Sequence, residues 1–242
     1  ELALAKDCDE SVVENDIREF YRNRGLSRMT IRTEEGRAAR KAWTDEIRTA
    51  LKPFDVTFGV LAGFVPLTNL TGDFPCLNVH PGDLTYLKDG NRYLVGLHTV
   101  PVERAILEGL DSMRSSVIVA QPYEGRGDNM DSGRILGISE AVPIDLDGYR
   151  LERLAECLKQ RPEKRPKGGY GDILQTVADK NLESLKVNGD WRVFPRVVFD
   201  FARGFFGLDA EGGLCYRLGG QWHPVETIIF GDTGREIVFR ES

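Results

Sequence analysis

Cysteine is sparse and scattered in this chain. Its four cysteines, Cys8, Cys76, Cys157 and Cys215, form no C-x-x-C pair, which argues against a zinc site and against a disulfide framework. A reducing, cytoplasmic setting is the default expectation. Long apolar runs are missing as well: none approaches the roughly 20 residues of a membrane span. The start has no signal-peptide pattern, and no internal repeat stands out. Charge of one sign does not dominate either. The formal net charge is -6 with both signs mixed throughout, so the electrostatic footprint of a general nucleic-acid binder is lacking. A small anionic ligand stays compatible, because a few local cations or helix N-termini suffice to hold one. The chain begins at Glu1 without an initiator methionine, as expected of a piece with residues upstream.

What is present is enough chain for one large α/β domain, or for a domain with an appendage: 242 residues can bury a sizeable core, and two independent domains are not required. Residues 2–5 read as the end of a strand. Val12, Val13, Ile17, Phe20 and Tyr21 follow at helical spacing until Gly25. Residues 29–31 read as a short strand, and Ala38, Ala39, Ala42, Trp43, Ile47 and Leu51 predict a second helix that Pro53 ends. Residues 56–61 form a nearly continuous apolar run, which suits a parallel strand covered on both faces. A polar loop over 82–91 precedes a helix over 102–107 and a strand over 116–120. Residues 122–133 are turn-rich and glycine-rich. A strand over 134–144 follows, with an irregularity expected at Gly137. Helices are predicted over 150–158, 173–185 and 193–203, with a basic Pro/Gly linker over 161–171. The last segment, with strands over 214–218 and 228–230, reads as a small antiparallel appendage.

One stretch organises the rest: Phe74-Pro75-Cys76-Leu77-Asn78-Val79-His80-Pro81-Gly82. Side chains alternate along a strand, so Asn78 and His80 share one face and Leu77 and Val79 the other. Pro81 cannot donate to a ladder and Gly82 tolerates positive φ, so the strand stops after His80 and opens into a loop. Open α/β sheets keep their chemistry at the carboxyl ends of strands. A buried histidine satisfied by a neighbouring amide is the plain alternative for an isolated Asn-x-His. Likewise Gly63 reads, alone, as an ordinary strand-ending turn, and the apolar stripe Val197, Val198, Phe201 and Phe205 as core.

Five separated segments carry a resemblance: Phe54-Asp55-Val56 leading to Leu61-Ala62-Gly63-Phe64; Leu77-Asn78-Val79-His80-Pro81; Gly96-Leu97-His98-Thr99; Ser115-Ser116-Val117; and Asp131-Ser132-Gly133. Their order and spacing resemble the formyltransferase family that uses 10-formyltetrahydrofolate. The resemblance covers about residues 1–205. It implies a Rossmann-like, mostly parallel sheet flanked by helices over 1–205, with 206–242 as a β-rich extension. It also implies a catalytic set of Asn78, His80 and Asp131, and no metal. The folate is expected against Leu61, Ala62, Gly63 and Phe64 and against Asn129 and Met130 in the loop before Asp131. Gly82 and His98 fall on the acceptor side. The implied acceptor is a small-molecule amine, phosphoribosylglycinamide or an amino-sugar-like compound.

The chemistry suits those residue types. Formyl transfer to an amine passes through a tetrahedral intermediate, and Asn78 offers an amide donor for its oxyanion, an effect worth about 10²–10³ in rate. His80, with an ordinary pKa near ~6.5, is able to take the amine proton or, once protonated, to stabilise the oxyanion. Asp131 would favour the imidazolium and position a relay water. The same set is able to activate water and release formate, which makes a 10-formyltetrahydrofolate hydrolase the alternative. A folate-binding regulatory module without turnover is a third reading. Two departures bear on the acceptor. The chain starts after the point where the family's phosphate-holding turn stands, and Gly82-Asp83-Leu84-Thr85 replaces the usual Ser-Leu-Leu-Pro.

Overall fold

The computed structural model describes residues 10–63, 68–97, 99–122, 130–166 and 168–240. They fall into two units, Glu1–Asn78 with Val119–Arg134 and Val79–Ile118 with Ile135–Ser242. The strand read over residues 2–5 lies outside the described residues.

In the first unit, helix α1 (Glu10–Arg22) and helix α2 (Glu34–Leu51) follow the apolar spacing of the sequence. Ile17 and Tyr21 of α1 and Ala39 and Trp43 of α2, each pair one turn apart, close a buried cluster. Their polar tips are satisfied: the Tyr21 hydroxyl donates to Gly36 O at 2.7 Å and Trp43 Nε1–H to Asp16 at 3.1 Å. Thr33 caps α2 by accepting from Gly36 N, worth about 1 kcal/mol. Residues 29–31, read as a strand, are irregular. Their polar groups bond locally instead: Thr30 Oγ1 accepts from Arg32 N, and Ile31 O accepts from the Arg37 side chain.

Arg48 ties the end of α2 to the chain that feeds the site. Its guanidinium reaches Asp73 at 2.5 Å, Asp45 at 2.7 Å and Asn69 O at 2.8 Å, bracketing the 3₁₀ turn Leu70–Gly72. Strand β1 (Gly59–Val60) then pairs in parallel with β2 (Cys76–His80), Gly59 opposite Cys76 and Val60 opposite Leu77. The expected strand over 56–61 is shorter and less covered than its apolar run implies. Among the described strands β1 pairs with β2 alone, and Val60 is 42% exposed.

The second unit opens with a hairpin inside the polar loop, β3 (Leu87–Lys88) and β4 (Asn91–Arg92). Asp89 and Gly90 both take positive φ, 52° and 76°, the geometry of a two-residue hairpin turn. Helix α3 (Val100–Leu107) precedes β5 (Ser112–Met113) and β6 (Ser116–Val119). The strand read over 134–144 is two: β7 (Ile135–Ser139) pairs antiparallel with β6, and β8 (Val142–Pro143) leaves it to pair with β5. The irregularity expected at Gly137 is there, as a register shift opposite Val117 and Ile118. A Cβ on Gly137 would stand 2.5 Å from the Phe230 ring and 2.9 Å from Val197.

Helices α4 (Leu151–Gln160) and α5 (Ile173–Leu185) pack with α3 around Val102, Ile106, Leu154, Leu174 and Val177. The segment between them is no solvated linker at its start. Arg161 is 6% exposed in its side chain and lies between Glu103 at 2.5 Å and Asp172 at 2.6 Å. A π-helical turn, Lys186–Asp190, joins α5 to α6 (Trp191–Ala202). The C-terminal strands are β9 (Phe206–Leu208), β10 (Leu214–Leu218), β11 (Gln221–Gly231) and β12 (Gly234–Phe239), antiparallel to one another. Of these strands β11 also runs parallel to β7, with Ile229 opposite Ile138 and Phe230 opposite Ser139. Asp200 of α6, fully buried, locks them down by accepting from Tyr216 at 2.7 Å and from Arg235 through two nitrogens at 2.6 Å. The architecture is α/β, with a mixed sheet in which β1/β2 and β7/β11 are parallel.

Candidate active site

Strand β2 ends at His80, before Pro81, while Gly82 keeps a φ outside the left-handed region. Cys76 and Leu77 are buried and Asn78 is half-buried, while His80 keeps 3% of its surface. The parallel register with β1 has a local consequence. Leu61 N donates to Leu77 O at 2.8 Å, so the turn after β1 opens beside Asn78 at the carboxyl end of β2. Leu61 itself is spoken for: its N–H is in that ladder and its side chain packs with Cys76, Ala120 and Phe74. Ala62 and Gly63, both exposed, are the residues of that turn that a ligand would meet, and Gly63 holds φ 65°. Phe64 lies outside the described residues. Beneath the turn the Cys76 thiol is pushed up to about 11 by burial and by the charge of Asp73, which makes it an inert core group.

His80 is held by backbone. Its Nε2 is 2.8 Å from Leu94 O, and because a carbonyl only accepts, Nε2 carries the proton. Gly82 is buried against this pair. A Cβ there would stand 2.5 Å from Leu94 O and 3.0 Å from both His80 Nε2 and Pro101 Cβ. Its evident part is to make room for the ring, with its own N–H turned back to His80 O at 2.9 Å.

Asp131 is half-buried on the 3₁₀ turn Met130–Ser132. Gly133 sets that turn: a Cβ on it would fall 1.7 Å from Val119 O, so only glycine lets the chain press there, and Val119 N then donates to Arg134 O at 3.0 Å. Asn129 and His98 lie outside the described residues. Thr99, next to His98, is buried and donates to Glu103 at 3.1 Å, so this segment is anchored through Glu103 to Arg161. Asn78 and His80 thus both lie on β2, Ala62 and Gly63 follow β1, and Asp131 lies on the 3₁₀ turn Met130–Ser132. Sequence reasoning missed Leu94, whose part is played by a backbone carbonyl and leaves no mark on residue type. Among the described residues no cluster of three or more His, Cys, Asp or Glu is arranged to hold a metal ion, and no described helix is long and apolar enough to cross a membrane.

No protein-family model matches the chain, and no curated protein does. Among solved structures it is similar to two enzymes described below. One is phosphoribosylglycinamide formyltransferase from Anaplasma phagocytophilum, at TM-score 0.44 and 19% identity over 78% of this chain and 69% of that one. Another is glycinamide ribonucleotide transformylase 1 from Symbiobacterium toebii, at TM-score 0.42 and 20% identity over 71% of this chain and 61% of that one.

Proposed function

We propose that this chain transfers a formyl group from 10-formyltetrahydrofolate to an amine on a small acceptor, phosphoribosylglycinamide or an amino-sugar-like compound. The observation that carries the reading is the end of β2, where Asn78 and His80 stand two residues apart in a strand that stops at His80. The five sequence segments of the formyltransferase pattern support it. In this scheme the acceptor nitrogen attacks the formyl carbon, and the developing oxyanion accepts from the Asn78 amide. His80, whose Nε2 lies 2.8 Å from Leu94 O, takes the amine proton. Collapse of the intermediate breaks the bond to N10 of the folate, and the proton passes to N10. Asp131 stabilises the imidazolium and orients a relay water. Ala62 and Gly63 meet the folate through their backbone.

Spectroscopic turnover of 10-formyltetrahydrofolate, with and without a panel of amines and beside His80→Ala, tests this. Loss of the formyl group only with an amine is the expected result and names the acceptor. Loss without any amine makes the protein a hydrolase, and folate binding without turnover makes it a binding module. A His80→Ala protein that keeps near-normal rates removes His80 from the reaction.

A further inference from the structure

Strands β7 and β11 run parallel as neighbours, so their carboxyl ends, at Ser139 and Gly231, lie side by side. In open α/β sheets that edge is where ligands are held. An open pocket of about 290 Å³ sits there, with Arg114, Glu140, Ile229, Arg235 and Glu236 among its lining residues. Its volume is at the small end of ligand sites and suits a small metabolite. Arg235 is occupied by Asp200 through two nitrogens. Three charges remain to face the pocket, one guanidinium and two carboxylates.

Arg114, just before β6, has 27% of its side chain exposed and donates through Nη1 to Ser139 O at 2.7 Å. The carboxylate nearest to it, Asp83, is 3.9 Å from Nε, and Asp83 Oδ1 already accepts from Thr85 N and Thr85 Oγ1 at 2.9 and 2.5 Å. The guanidinium therefore keeps donors to spare. Glu140 is held in place from behind: its Oε2 accepts from Asp232 N at 3.3 Å, and a Cβ on Gly231 would run into its carboxylate. Glu236 stands opposite Ile229 across the β11–β12 ladder. Among the described residues no ion pair joins either carboxylate to Arg114. Opposite charges thus line one pocket without meeting, and a ligand that carries both signs would bridge them.

We propose that this pocket binds a small zwitterion of the α-amino acid class. Arg114 takes the ligand carboxylate through its spare donors, a charge-assisted contact. Glu140 and Glu236 take the ammonium, and Ile229 gives the ligand's carbon skeleton an apolar surface. Binding here involves no turnover, so the proposal stands apart from the formyl-transfer reading.

Saturation-transfer NMR followed by calorimetry, on the whole chain with the standard α-amino acids as probes, tests it. At least one is expected to bind saturably. The amine and the carboxylic acid with the same side chain are each expected to bind about 10-fold more weakly or worse, because each leaves one charged partner unmatched. Glu140→Gln keeps an oxygen for Asp232 N and loses the charge, so it is expected to fold like wild type and to weaken the amino acid by about 10-fold. Arg114→Met is expected to weaken it at least as much, with circular dichroism to confirm the fold. Absence of saturable binding by every amino acid overturns the proposal. So does an amine or an acid that binds as tightly as the zwitterion, and so does full affinity in folded Glu140→Gln or Arg114→Met.

Discussion

His80 Nε2 and Leu94 O stand 2.8 Å apart, joining residues 14 positions distant in the chain. A buried imidazole needs a partner for its N–H, and Leu94 O, a group that does not titrate, accepts from Nε2. The arrangement is tight, which makes it breakable by a single methyl group.

Gly82→Ala supplies that methyl group. Its Cβ would meet Leu94 O at 2.5 Å, and that atom is backbone and cannot swing aside. We expect the turn to shift at a cost of about 1–3 kcal/mol, and turnover to fall by about 10²-fold as the ring is displaced. Urea denaturation and kcat measured on the same sample check it. A variant with wild-type stability would show that the turn relaxes freely, against the packing described.

Asp131→Asn keeps the shape of the side chain and removes its charge. Under the proposed mechanism turnover falls by about 10²-fold, while binding of 10-formyltetrahydrofolate, followed by fluorescence or calorimetry, stays near wild type. The pH–rate profile also moves, because the imidazolium loses its counter-charge. Kinetics that match wild type at every pH would take Asp131 out of the reaction.

Arg161→Met tests the anchor behind Thr99. The guanidinium lies between Glu103 and Asp172 with only 6% of its side chain exposed, and its removal leaves carboxylates facing one another without a cation. The expected loss is about 3–5 kcal/mol at neutral pH. The hydrogen bond from Arg161 holds Asp172 below the ordinary carboxylate range, against burial, which works to raise it. A lowered folded pKa contributes stability above the unfolded value and loses it as pH falls through the folded one. The gap between wild type and variant should therefore narrow below about pH 4. Denaturant midpoints at pH 7 and pH 3.5 decide, and a gap that is the same at both would exclude the ion triad as its cause.

How much of this was legible in the residues depends on whether a local pattern or a distant partner set the outcome. Helix α5 runs over 173–185 as its apolar spacing predicts, with Asp172 capping it through Gln175 N, and β10 runs over 214–218 between its glycines. The end of β2 was readable because proline acts on its own neighbours. Residues 29–31 look like a strand in the same terms, yet none of the described strands pairs with them, and their polar groups bond locally to Arg32 and Arg37. Arg161 sits in a stretch of Lys, Arg, Pro and Gly that reads as solvated, and only Glu103, 58 positions earlier, makes it buried. The same holds for His80: its strand and face were legible, whereas Leu94 O acts as backbone, and any residue type there offers the same atom.

Asp190 closes the π-helical turn before α6, and burial pushes its carboxyl up to about 6 from an ordinary 3.8, with the Ser115 hydroxyl and the charge of Lys186 opposing the rise. Among the described residues its Oδ1 finds no hydrogen-bond partner. A raised folded pKa means that the native state binds this proton more tightly than the unfolded chain. The stability it brings is full below about pH 4 and is lost as pH rises through about 6. At pH 7.5 the side chain is charged and poorly solvated, whereas an amide of the same shape is neutral and able to donate to Ser115. Asp190→Asn should therefore raise the melting temperature at pH 7.5, by an amount corresponding to at most about 3 kcal/mol, at roughly 2–4 °C per kcal/mol for a chain of this size. At pH 4 the two proteins should melt together. A difference that is constant between the two pH values would mean that packing at the π-turn, and not the proton on Asp190, sets the stability of this junction.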